Sequence, residues 1–204
     1  MEETILFESI KDNFKEPHGI IGKIAGKIMD MENRELNEWA VNLLNIKPGE
    51  RILEIGYGPG YGIAYLLNHH EEAVVDGIDV SEDMKELASK KLKDEIAEQK
   101  VNLIVGDINQ RRLPSNRYNK ILSVNNYTLW DKQLDILNNI YRAMVKEGRI
   151  VITMQPRQED ADRGRTKEFG EQIQRDLQSC SFRQIECSYK EIAPELAVTV
   201  TAVK

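Results

Sequence analysis

The sequence predicts an α/β protein built on a doubly wound, mostly parallel sheet with helices on both faces. Three observations predict it. Beyond residue 50, strand-like apolar runs alternate with helix-like ones. The first of these runs ends in a turn with glycines at 56, 58 and 60. The next two end in acids, Asp79 and Asp107, at the edge where an open parallel sheet receives its ligands.

The elements follow in order. Residues 1–47 differ from the rest: glycines at 19, 22 and 26 sit among lysines and apolar residues, and a helix is expected from about Asn33 to Leu44. This segment reads as a helical cap packed on a single ligand-binding domain of residues 48–204. For its first fifteen residues a tail that orders on binding is an equal reading. Arg51 to Ile55 is a strand, and Ile63 to Leu67 belongs to the helix behind the glycines. Ala73 to Val80 is the second strand. Ser81 then caps a helix whose Met84, Leu87, Ala88 and Leu92 recur at helical spacing, with Glu82 and Asp83 favouring its dipole.

Val101 to Val105 and Lys120 to Val124 are further strands, separated by a polar loop carrying Pro114 and Ser115. A helix is expected from about Lys132 to Lys146, with Leu134, Leu137, Ile140, Tyr141 and Met144 on the sheet and Gly148 ending it. Arg149 to Met154 is the fifth strand. Phe169, Ile173 and Leu177, four apart, mark one more helix, and the chain closes with strands near Phe182 to Tyr189 and Ala197 to Val203. Only the turn at Ala193-Pro194-Glu195 joins those two, so one of them runs antiparallel to the rest.

Composition narrows the function. A chain of 204 residues, 41% hydrophobic, suits one domain with a sizeable core. No stretch approaches the roughly 20 apolar residues that cross a bilayer, and acids follow Met1, so a soluble, cytoplasmic protein is expected. Cys180 and Cys187 are spaced for neither a disulfide scaffold nor a zinc site. The net charge of -6 repels phosphate backbones, which disfavours nucleic acid as a partner. His69 and His70 are adjacent and point apart, which fits a solvated loop rather than a metal site. Asp160 to Arg165, with Arg157 before them, reads as a charged connection able to gate a pocket.

The chemistry concentrates in Leu53-Glu54-Ile55-Gly56-Tyr57-Gly58-Pro59-Gly60. Glycines there let a backbone approach a ligand closely. A dinucleotide turn needs its third glycine at 61, which is Tyr61, and no Gly-Lys-Ser or Gly-Lys-Thr follows to make a P-loop. Asp79 lies about 20 residues beyond the turn, where an acid takes ribose hydroxyls. Its alternative role, capping the next helix, is already filled by Ser81. With Glu54 and Asp107 it completes a set of three acids at successive strand ends, suited to a ligand with a cation, a diol and an exocyclic amine.

On these residues the chain resembles the class I S-adenosylmethionine-dependent methyltransferases over roughly residues 48–204. The resemblance implies a seven-stranded sheet of order 3-2-1-4-5-7-6 with strand seven antiparallel, and S-adenosylmethionine as cofactor. It implies that Gly56, Gly58 and Gly60 face the methionine part, Asp79 the ribose, Met84 and Ile108 the adenine faces, and Asp107 the adenine amine, with Glu54, Tyr57 and Val80 also among the cofactor-binding residues. It also places Asn125, after the fourth strand, beside the cofactor.

The segment Ser123-Val124-Asn125-Asn126-Tyr127-Thr128-Leu129-Trp130 stands where this family presents its methyl acceptor. It lacks the Asn-Pro-Pro-Tyr and Asp-Pro-Pro-Tyr tetrads that in the family mark base or glutamine amino groups. Tyr127 and Trp130 either wall an acceptor pocket or pack on the following helix. His18 and Tyr127 are the candidates to take an acceptor proton, although an aligned sulfonium methyl needs little beyond positioning. The expected function is transfer of a methyl group to a small organic acceptor. The alternatives are RNA or protein methylation, and a non-catalytic cofactor-binding module.

Overall fold

Alternation along the first strand, β1 (Arg51–Ile55), decides the layering of the molecule. Successive side chains of a strand point to opposite faces. Ile52 therefore joins one apolar cluster and Leu53 and Ile55 the other. The computed structural model describes residues 33–156 and 161–204. The remaining strands are β2 (Val74–Asp79), β3 (Val101–Val105), β4 (Tyr118–Val124), β5 (Met144–Met154), β6 (Arg183–Ile192) and β7 (Glu195–Val203). The helices are α1 (Arg34–Asn42), α2 (Tyr61–His69), α3 (Glu82–Lys91), α4 (Lys93–Ala97), α5 (Gln133–Ala143) and α6 (Arg163–Ser179).

The strands form one sheet in the order β3-β2-β1-β4-β5-β7-β6. The pairs within β3-β2-β1-β4-β5 are parallel, and β7 runs antiparallel to both β5 and β6. This is the order and the antiparallel seventh strand that the family resemblance implies. Ala40, Val41 and Leu44 from the α1 region, Leu66 of α2 and Ala88 of α3 cover one face. Leu137 and Ile140 of α5, with Ile173 and Leu177 of α6, cover the other. Each fully buried Val, Leu or Ile among them contributes about 1.5–3 kcal/mol by leaving water. Among the described residues no helix is long and apolar enough to cross a membrane.

Three local expectations are corrected. The helix expected to reach Lys146 ends at Ala143, and Met144 to Gly148 belong to β5. The pairing shows why: Tyr118 opposes Met144, yet Lys120 already opposes Arg149. The extra β5 residues form a bulge, with Glu147 at φ 60°. Gly148 serves that bulge, since a Cβ there would lie 3.0 Å from the Asn119 carbonyl oxygen. Met144 is buried as expected, but from a strand, while Leu134 faces solvent and Ile136 fills the core instead.

The second correction concerns Asp160 to Arg165. Asp162 caps α6, its carboxylate accepting from the Arg165 N–H at 2.7 Å, so Arg163 to Arg165 form a first helical turn rather than a connection. Arg157 and Asp160 lie outside the described residues. Third, His69 is the last residue of α2, its Nδ1 lying 2.8 Å from the Tyr65 carbonyl oxygen, and only His70 leaves the helix.

Candidate functional site

The parallel strands point their carboxyl ends at one cavity of about 390 Å³. Its floor is the turn after β1. Gly56, Gly58 and Gly60 all adopt left-handed backbone, at φ 78°, 51° and 86°, which residues bearing a Cβ adopt only with strain. At Gly58 an added Cβ would meet no atom within 4 Å. The main chain there faces open space.

Asp79, at the end of β2, braces this turn. One oxygen accepts from the Gly58 N–H at 2.8 Å and the other from the Ser81 N–H at 3.0 Å. Ser81 itself caps α3, accepting from the Met84 N–H at 3.3 Å. Burial pushes the Asp79 carboxyl above the usual range, and these backbone bonds pull the other way. Asp107, past the end of β3, is held by Asn109, whose N–H and side-chain amide both donate to it at 2.8 Å. Val80, Met84 and Ile108 add apolar surface to this end of the cavity. Met84 is 1% exposed and Val80 44%, so Val80 is the one that offers area to a ligand.

At the opposite end the strand pleat turns Glu54 toward α1 and α2. Its carboxyl group lies against Gly62, where an added Cβ would sit 2.5 Å from Glu54 Oε1 and 3.0 Å from Asn37 Oδ1. Glu54 Oε2 is buried without a hydrogen-bond partner among the described residues. Burial, then the charge of Asp79, raises the Glu54 pKa to about 8. The buried Tyr57 hydroxyl likewise has no partner among the described residues, and burial followed by Asp79 raises its pKa. Asn125, at φ 51°, ties the end of β4 into the wall, accepting from the Gln155 N–H at 2.8 Å and donating to Asn33 at 3.1 Å.

The residues expected on the cofactor side thus line one cavity, except Gly60; Gly60 packs against the next helix instead, where an added Cβ would lie 3.0 Å from Ala88 Cβ and 3.2 Å from Leu92 Cδ1. The two aromatic residues after β4 separate. Trp130 lines the cavity, its Nε1 donating to Asn126 Oδ1 at 2.8 Å. Tyr127 does not: it is buried, and its hydroxyl donates to Asp176 of α6 on the far side. Burial, then that bond, raises the Tyr127 pKa, which fits a structural phenol and neither a pocket wall nor a proton acceptor. His18 lies outside the described residues.

Sequence reasoning missed Asn37, Asn109, Asn126, Leu129 and Asp131, all on the cavity wall. Only Asn37 carried a usable signal. It falls at helical spacing from Ala40, Val41 and Leu44, a polar residue inside an apolar stripe. Around the cavity stand four carboxyl groups, those of Glu54, Asp79, Asp107 and Asp131. No Lys, Arg or His is among its described lining residues.

Comparison with known proteins agrees with this arrangement. Residues 52–148 match a family model described as a methyltransferase domain. The chain is 44% identical over 181 residues to an uncharacterized methyltransferase, YdaC, of Bacillus subtilis, covering 89% of this chain and 98% of that protein. It superposes on a SAM-dependent methyltransferase from Aquifex aeolicus with TM-score 0.69 at 20% identity, covering 89% of this chain and 97% of that one. It superposes on phosphoethanolamine N-methyltransferase 2 of Haemonchus contortus, in complex with phosphomonomethylethanolamine and S-adenosylhomocysteine. There the TM-score is 0.73 at 18% identity, over 89% of this chain and 58% of that chain.

Proposed function

The chain belongs to the methyltransferase family and is a class I, S-adenosylmethionine-dependent member of it; from that premise we propose that the cavity presents the activated methyl group to a small organic acceptor. The observation that carries this reading is the convergence of the left-handed glycine turn and the strand-end acids Glu54, Asp79 and Asp107 on one cavity of about 390 Å³. That volume falls in the range of small-molecule sites.

The residues present fit the cofactor. The open space at Gly58 admits a ligand against the main chain, and Glu54 Oε2, which has no partner among the described residues, suits a cationic group. Asp79 keeps lone pairs for ribose hydroxyls beyond its backbone bonds. Asp107 would accept from the adenine amine, and Val80 would offer the ring its apolar surface, with Ile108 beside it and the buried Met84 behind. Bound there, S-adenosylmethionine supplies an electrophilic methyl on a sulfonium, open to in-line displacement by an acceptor atom. The chain's contribution is alignment and exclusion of water, which supplies on the order of 7–11 kcal/mol without a dedicated base.

Two observations support a small acceptor over nucleic acid. The net charge is -6, and no basic side chain is among the described residues of the cavity wall. The acceptor named for the Haemonchus enzyme is also a small molecule. Titration calorimetry with S-adenosylmethionine and S-adenosylhomocysteine tests the cofactor assignment, and absence of heat with both refutes it. Incubation with labelled S-adenosylmethionine and fractions of a cell extract tests the acceptor. Label in the low-molecular-weight fraction supports the reading, and label confined to RNA or protein overturns it.

A further inference from the structure

Asn126 stands directly over the glycine turn. A Cβ added to Gly56 would lie 2.5 Å from Asn126 Nδ2, so the amide nitrogen occupies the space that the missing side chain leaves. A carboxamide can present either its oxygen or its nitrogen to a ligand, and here the neighbouring residue decides which. Trp130 Nε1 only donates. It donates to Asn126 Oδ1 at 2.8 Å, and Trp130 is itself 2% exposed and held in the core. The oxygen is therefore committed to the indole. Nδ2 is left toward the glycine turn, with no hydrogen-bond partner among the described residues.

The ligand's charges say what this donor is for. S-adenosylmethionine carries two cations, the sulfonium and the ammonium, and one anion, the α-carboxylate. The described cavity wall offers four carboxyl groups to the cations and no Lys, Arg or His to the anion. Among the described residues a carboxylate has only neutral donors available. Resting on the cofactor assignment above, we propose that Asn126 Nδ2 binds the cofactor's α-carboxylate, and that Trp130 is a positioning residue that keeps the amide turned the right way.

The test compares two ligands on three proteins by titration calorimetry: S-adenosylhomocysteine, and its decarboxylated analogue, which keeps the adenosyl thioether and the amine. The wild-type protein is expected to bind the first more tightly than the second. Asn126→Asp keeps an oxygen for the Trp130 indole and replaces the donor with an acceptor. It is expected to weaken S-adenosylhomocysteine at least tenfold and leave the decarboxylated analogue within about twofold, which abolishes the preference. Trp130→Phe frees the amide to rotate and is expected to reduce the same preference severalfold, a change that a merely structural role would not produce. Equal weakening of both ligands, or an unchanged preference in Asn126→Asp, overturns the proposal. Asn126→Ser, too short to reach the ligand, decides the matter by the same ratio if the aspartate variant does not fold. A wild-type protein that binds neither ligand refutes the cofactor assignment itself, a separate outcome.

Discussion

Glu54→Gln is the perturbation that reads the electrostatics of the cavity most directly. The carboxyl group is 2% exposed and its pKa is raised from 4.5 to about 8, first by burial and then by Asp79. The folded protein thus holds the Glu54 proton more tightly than the unfolded chain does. The contribution of this group to stability is fully present below about pH 4.5 and is lost as pH rises towards 8, at about 1.4 kcal/mol per pH unit. At pH 7 the accumulated cost is about 3 kcal/mol. Glutamine is neutral at every pH and of the same shape, so Glu54→Gln matches the wild type near pH 4.5 and exceeds it by about 3 kcal/mol at pH 7. Asp79, also raised by burial, is present in both proteins and cancels in the difference. Urea denaturation at half-unit steps from pH 4.5 to 8.5 measures the gap. A gap that stays constant across this window refutes the reasoning, because a packing effect carries no pH dependence. The same carboxyl group links ligand binding to protons. If it faces the cofactor's ammonium, wild-type affinity for S-adenosylhomocysteine rises with pH towards 8, whereas that of Glu54→Gln stays flat.

Three further outcomes are expected. Asp79→Ala removes the brace on the Gly58 N–H together with the acceptor for ligand hydroxyls, and it should weaken S-adenosylhomocysteine by more than about 1 kcal/mol; unchanged affinity in calorimetry would show the acid to be misassigned. Tyr127→Phe deprives the buried Asp176 carboxylate of its phenol donor, leaving Gln172 as its amide partner at 2.9 Å. It should cost about 1–3 kcal/mol in urea denaturation, with ligand affinity unchanged because the hydroxyl points away from the cavity. Gly60→Ala forces a Cβ into left-handed backbone at φ 86° and within 3.0 Å of Ala88 Cβ; a loss of about 1–3 kcal/mol should appear as a lower urea midpoint, and an unmoved midpoint would contradict that conformation.

The sequence by itself determined the skeleton of this protein. Arg51–Ile55 and Val101–Val105 are strands with the bounds that their apolar runs predict, and Ser81 caps the helix it precedes. The glycines at 56, 58 and 60 announced their turn, and Asp79 and Asp107 their strand ends, because such signals are local: periodicity, breaker residues and capping act over a few neighbours.

Tertiary structure decided whatever depends on a partner far along the chain. Met144 to Lys146 continue a helical pattern, yet pairing with β4 draws them into a bulged strand. Tyr127 and Trp130 are equivalent aromatics in the sequence, and only packing sends the first to Asp176, 49 residues on, and the second to the cavity. Asn37 meets Glu54 at Gly62 because α1 packs on α2, and Asn126 meets Gly56 because β4 pairs with β1. A residue type fixes which hydrogen bonds a side chain can make, but its direction is set by the neighbours that fill the space around it, and those are chosen only when the sheet closes.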